Sequence, residues 1–181
     1  MTLSPGVEFD EQKHEYWYNG KQLSGITGLI NKKLRLKMPQ EFLEEHQEEG
    51  IHVHKAIQKW IETGDSGSVH PGVRWLTGEF RGHYPNGQIY SEVLVSDFDR
   101  YASAIDIVLA MGDGLTIFDI KKGVFKRDYV TWQLSIYKYF AEKVGKRVVD
   151  CVCLCLRDKE FYPIFPKPAE DVEKLLYGAT V

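Results

Sequence analysis

The stretch from Tyr101 to Lys121, YASAIDIVLAMGDGLTIFDIK, limits the fold more than any other part of the chain. Two apolar runs, YASAIDIVLA and LTIFDI, flank the tetrapeptide MGDG. Each run is apolar at successive positions, the pattern of a strand covered on both faces, so both strands belong near the centre of a sheet. The link is short enough for a hairpin. Gly112-Asp113 would form a two-residue loop with Gly first, as a type II′ turn prefers, and a four-residue loop over MGDG keeps the same register. In that register Asp106 lies opposite Asp119, and Ala104 lies opposite Lys121. Facing Cβ atoms sit about 4.5–5.5 Å apart. Lys121 shares a face with Asp119 because side chains repeat every second residue. A three- or five-residue loop would instead turn the two carboxylates to opposite faces.

Two carboxylates side by side among apolar residues repel each other and cannot both stay ionised unaided. One can hold a proton, a lysine can neutralise the pair, or a cation can sit between them. Lys121 offsets one charge only, whereas a divalent cation takes oxygen ligands from both. The plainer arrangement of the same residues is a strand-end pair held by Lys121 and water.

The rest of the chain reads as helices and strands around this hairpin. FDEQKHEYWYNGKQL is extended and aromatic, with Asn19-Gly20 at a hairpin tip. SGITGLI opens a short helix. A longer helix starts at Pro39, carries His46, Gly50, His54, Ile57 and Ile61 on one face, and stops at Gly64. VRWLTGEFRGHY is a short helix, QIYSEVLVS a strand, and RDYVTWQLSIYKYFAEKVG a helix with Tyr129, Gln133, Ile136, Tyr137, Phe140 and Val144 on one face. RVVDCVCLCL and EFYPIF are strands, and PAEDVEKLLYG is a terminal helix. Helix, three strands, helix and strand in that order predict an α/β fold, a mixed central sheet flanked by helices with an N-terminal β-hairpin. The expectation is one domain over 1–181, with the hairpin and lead-in over 1–30, the core over 39–165 and the C-terminal helix over 166–181.

Net charge −3 argues against a protein that coats nucleic acid by bulk attraction, but it leaves room for a local basic track such as NKKLRLK at 31–37. Cys151, Cys153 and Cys155 alternate along one strand. Neighbours on one strand cannot wrap a tetrahedral metal, and an odd number makes a poor disulfide framework, so they read as small buried residues. No apolar run is long enough for a transmembrane helix, and MTLSPGVEFDE has no signal-peptide pattern, so the expected setting is the cytoplasm. Two polar residues interrupt apolar helix faces. His54 can be a core-edge histidine or a metal ligand through its neutral imidazole, and Gln133, one turn before Tyr137, needs hydrogen-bond partners.

Four short motifs stand in order: Gly50-Ile-His-Val-His54 on a helix, Ala104-Ile-Asp106 on a strand, Asp119-Ile-Lys121 on the next strand, and Gln133-Leu-Ser-Ile-Tyr137 on the following helix. Together they resemble the RecB-like branch of the PD-(D/E)XK nuclease superfamily, and small phage-type exonucleases in particular. The resemblance covers about 50 to 137. It departs from the family pattern at Ala104, where glycine is usual, and at Lys122, where threonine is common. It implies a restriction-endonuclease-like core. It further implies a metal site of His54, Asp106, Asp119 and the Ile120 carbonyl, with Lys121 positioning or deprotonating the attacking water or stabilising the pentacovalent phosphate, and with Gln133 and Tyr137 supporting the lysine or touching the DNA backbone. Glu92 would bind a second metal or the substrate end. Lys122, Lys126 and Arg127 would contact phosphates. The expected ion is Mg²⁺, with Mn²⁺ as a substitute, and the cysteine spacing does not match the family's iron–sulfur pattern.

The implied activity is a DNA exonuclease of phage or prophage recombination and repair, acting on ends or single strands. A recombination-protein or helicase partner and a homo-oligomer are both compatible with the resemblance, and no membrane is involved. A structure-specific or nicking endonuclease of the same fold, and an inactive nucleic-acid-binding protein, remain alternatives. A zinc enzyme fits less well, because His52 and His54 cannot both face one ion from a helix.

Overall fold

The structure, a computed structural model, describes residues 1–36 and 40–178, with the side chains of 40–49 outside the description. The expectations placed on Lys37, Pro39 and His46 lie outside the described residues. The elements are β1 (Val7–Asp10), β2 (Glu15–Tyr18), β3 (Lys21–Gly25), α1 (Ile26–Lys33), α2 (Gln40–Thr63) and α3 (Pro71–His83). There follow β4 (Gln88–Ser96), β5 (Tyr101–Met111), β6 (Gly114–Lys121), α4 (Arg127–Lys143), β7 (Arg147–Cys155), β8 (Glu160–Pro163) and α5 (Ala169–Tyr177).

Local chemistry sets several of these boundaries. Asn19 and Gly20 both have positive φ, 49° and 76°, between the paired residues Tyr18 and Lys21, which is the two-residue turn that suits the strand twist. Gly64 ends α2 at φ 82° and donates its N–H to Trp60 O. α3 starts with His70 accepting from Gly72 N and with Pro71 in its first turn, where a missing N–H does no harm. Met111 pairs with Gly114, so Gly112-Asp113 is a two-residue loop, and Gly112 alone of the two has positive φ. That is the type II′ pattern.

The eight strands make one mixed sheet in the order β1-β2-β3-β5-β6-β7-β8, with β4 also paired to β5. β3 with β5 and β6 with β7 are parallel, and the other pairs are antiparallel. The N-terminal hairpin is therefore fused to the central sheet through β3. Ile105, Val108, Leu115, Ile117, Cys151 and Cys153 lie in one core with Ile30 of α1, Leu134, Ile136 and Phe140 of α4, and Val172 and Leu176 of α5. Ile107, Leu109, Phe118, Ile120, Val152 and Leu154 lie in a second core with Val53 and Ile57 of α2 and Val73, Leu76 and Phe80 of α3. Helices thus cover both faces, as the doubly apolar strands require. Each such Ile, Leu, Val or Phe contributes about 1.5–3 kcal/mol by leaving water. α4 is buried around most of its circumference, since Trp132 and Tyr139 are buried along with the face predicted from its periodicity.

Two irregularities open this sheet at one place. β4 occupies one edge of β5 from Ala102 to Ala110. On the other edge, β3 pairs only at Tyr101 and Ala102, and β6 only from Ile107 onward. Residues 103–106 face the gap between them. The strands also change phase here. Ile107 and Leu109 join the core under α2 and α3, Val108 joins the other, and strict alternation would send Ile105 to the α2 side; it lies instead with Val108 on the α4 side. On β4, Tyr90 and Val93 both contact the α4-side core, although three residues apart they would alternate to opposite faces. Between them Glu92 has φ 48°. Such a left-handed conformation costs a non-glycine residue about 1–2 kcal/mol. Glu92 would stand opposite Asp106 in this register, but Ser91–Ile107 and Val93–Ile105 are the pairs that form on either side.

Candidate metal centre at the break in the sheet

Asp106 sits where β5 changes phase, which frees its carboxylate from the usual strand geometry. Its Oδ2 accepts the Ile120 N–H at 2.6 Å, taking a place that a backbone carbonyl would fill in a continuous ladder. Its Oδ1 lies 3.4 Å from His54 Nδ1. His54 comes from α2, between the buried Val53 and Ile57 that anchor the helix to the sheet. Glu92 Oε1 lies 3.6 Å from the same His54 nitrogen. Ligand atoms of His54, Glu92 and Asp106 all fall within 4.8 Å of one another.

Asp119 follows a different course. The ladder from Met111–Gly114 to Ile107–Phe118 has the expected register, and its next step would bring Asp106 opposite Asp119. The pairing ends before that step. Asp119 is fully buried and turns to Lys121, whose Nζ donates to Oδ1 at 2.9 Å. Oδ2 lies 2.8 Å from the same ammonium but outside hydrogen-bonding angles, and among the described residues it has no donor. Lys121 also donates to Gln133 Oε1 at 3.2 Å, and its Nζ stands 5.8 Å from the Tyr129 ring centroid. Gln133 Nε2 donates to Tyr137 OH at 2.8 Å, and that hydroxyl is 3.3 Å from Ser103 Oγ. A continuous polar chain therefore runs from Asp119 through Lys121, Gln133 and Tyr137 to Ser103, facing α4.

The family resemblance groups His54 with Asp106 and Asp119; the structure brings His54 together with Asp106 and Glu92, and pairs Asp119 with Lys121. Ile120 reaches the cluster through its N–H. Lys122 is half-buried in the segment after β6, and Lys126 and Arg127 are exposed at the start of α4, two turns before Gln133. Ser103 and Tyr16 were not anticipated. Ser103 was legible as the polar residue in YASAIDI. Tyr16, on the N-terminal hairpin, is buried beside Ser103 and the Ala104 backbone, and burial pushes its phenol up to about 12.

The electrostatics follow from burial and mutual repulsion. Desolvation raises the Asp106 carboxyl above its ordinary value, against the opposing pull of His54. Desolvation also raises Asp119, to about 6, although Lys121 pulls it down. Asp106 raises His54 to about 9, against desolvation and with help from Glu92. Burial alone would lower Lys121, but the charges of Asp119 and Asp106 and the Asp119 hydrogen bond outweigh it, so the net direction is upward and the group stays an ammonium. In the metal-free chain protonated His54 and Lys121 offset two of the three carboxylates; once a metal displaces the imidazole proton, two negative charges are left for it to balance. That deficit equals the charge of one divalent cation. An imidazole nitrogen, two carboxylates and a nearby buried carboxylate oxygen without a donor form a set that such a cation fits.

Comparison with protein-family models and with curated proteins finds no match to this chain. Among the described residues no helix is long and apolar enough to cross a membrane.

Proposed function

We propose that the chain is a divalent-metal-dependent deoxyribonuclease with a restriction-endonuclease-like core, of the RecB-like type, working as an exonuclease. One observation carries this reading: the His54, Glu92 and Asp106 donor set and the Asp119–Lys121 pair meet at a single opening of the sheet. A purely structural strand pair would need neither the imidazole nor a strained Glu92.

His54, Glu92 and Asp106 would hold Mg²⁺ or Mn²⁺, with Asp119 the nearest further carboxylate. When bound, the dication would acidify water and offset charge on the phosphate oxygens. The chain's own groups do the rest. Asp119 accepts one Lys121 proton and Gln133 accepts another, which leaves a third donor on the ammonium for a phosphate oxygen or the attacking water. Lys121 positions the attacking water and stabilises developing charge; in the metal-free chain the Asp119 and Asp106 charges hold it as an ammonium. Gln133 fixes the lysine, and Tyr137, held by Ser103, fixes Gln133. Lys122, Lys126 and Arg127 follow the active strand and contact the phosphate backbone without reading bases.

The test is digestion of end-labelled linear, circular and single-stranded DNA with Mg²⁺, Mn²⁺ or chelator. The expected result is metal-dependent release of nucleotides from ends, abolished by Lys121→Met. Nicking of circles would reassign the chain to the endonucleases, and binding without any cleavage would reduce it to a nucleic-acid-binding protein.

A further inference from the structure

A groove on the other side of α4 carries charge that the proposed chemistry does not use. Lys33 at the end of α1, Trp132 of α4, Lys167, and Asp171, Lys174 and Leu175 of α5 line a cavity of about 460 Å³. Lys33 Nζ is 5.4 Å and Lys167 Nζ 5.8 Å from the Trp132 ring centroid. Among the described residues none of the three lysines forms an ion pair, so they face the single carboxylate of Asp171 with two charges in excess. Like charges gathered in this way favour an anionic guest.

A second feature lies close to the groove in sequence. Phe165 is 83% exposed, two residues before Lys167. It is not on a loose loop. Ile164 is buried and donates its N–H to Cys151 O at 2.8 Å, and Lys167 N–H donates to Ser135 Oγ at 2.8 Å. Pro163, Pro166 and Pro168 stiffen the segment between and around these anchors. A rigidly presented, solvent-facing aromatic ring beside unpaired cations is the combination that holds a single strand: lysines take phosphates, and the ring stacks an unpaired base. Trp132 directly precedes Gln133, so the groove and the candidate metal centre flank the same turn of α4.

We propose that this groove binds single-stranded DNA, with Lys33, Lys167 and Lys174 on its phosphates and Phe165 stacked on a base. The inference rests on the nuclease reading for its choice of polyanion. It is tested by fluorescence anisotropy of a labelled oligothymidine with the full chain in chelator, which blocks cleavage. Phe165→Ala should weaken binding about tenfold at every salt concentration. Lys33→Ala combined with Lys167→Ala should reduce the slope of log affinity against log salt by about 1.4. All three positions are exposed, so folding is not at stake. Binding that ignores both variants overturns this inference and leaves the nuclease reading standing. Absence of any DNA binding by the unaltered chain, with no digestion in Mg²⁺, overturns the nuclease reading itself. A change in sedimentation mass in Phe165→Ala with DNA affinity unchanged would give the ring to a contact between copies, and would also overturn the proposal.

Discussion

Replacing Lys121 with methionine tests how the buried acid is held. Asp119 is fully buried, and Lys121 is its ion-pair partner among the described residues. Removing one member of such a pair costs about 3–5 kcal/mol, because the other charge stays behind. Asp119 can relieve this by taking up a proton. Burial already holds it at about 6 with the lysine present. A loss of about 3 kcal/mol corresponds to a further rise of about two pKa units at 1.36 kcal/mol each. An acid whose folded pKa is raised loses stability as pH climbs from its unfolded value through its folded one. That loss ends near 6 in the unaltered chain and about two units higher in the variant. The penalty should therefore be small at pH 5.5 and open fully by pH 8. For a chain of this size the deficit is about 6–12 °C in Tm. Thermal unfolding followed by circular dichroism in chelator measures it. A variant melting within about 2 °C of the unaltered chain at pH 8, or a penalty independent of pH, would refute the argument.

Other perturbations separate the roles of the neighbouring groups. Asp106→Asn keeps an oxygen for the Ile120 N–H but loses the charge, so calorimetry with Mn²⁺ should show no site. Gln133→Ala should leave Mn²⁺ affinity unchanged yet slow cleavage by about 10²-fold, since Lys121 loses an acceptor that fixes it. In the metal-free chain His54 titrates at about 9, so a metal must displace its proton at neutral pH. Metal affinity should then rise about tenfold per pH unit from pH 7 and level off near 9, as titrations at several pH values would show. The same shift gives the metal-free chain stability that is present below the ordinary histidine value of 6.5 and lost as pH rises through about 9.

The hairpin register was legible because Gly112-Asp113 permits few turns and the apolar runs define their own centres. The Asn19-Gly20 turn and the Gly64 stop were legible for similar local reasons. The phase change at Glu92 and Asp106 was not. A strand apolar on both faces gives no alternation against which a slip could show. Glu92 adopts positive φ without the glycine or asparagine that would have announced it. With alternation assumed, Asp106 and Asp119 belong to one cluster; with the slip, Asp106 reaches His54 and Glu92 while Asp119 stays with Lys121. The attachment of β3 to β5 was hidden too, because a two-residue parallel pairing between distant segments leaves no local pattern.

The central claim is that one dication belongs at the opening of the sheet with His54 as its nitrogen ligand. Pulsed electron paramagnetic resonance on the chain with one equivalent of Mn²⁺ addresses it directly. The account predicts a ¹⁴N coupling from a single imidazole that disappears in His54→Ala. Bound Mn²⁺ without that coupling, or with a coupling that survives the substitution, would contradict it.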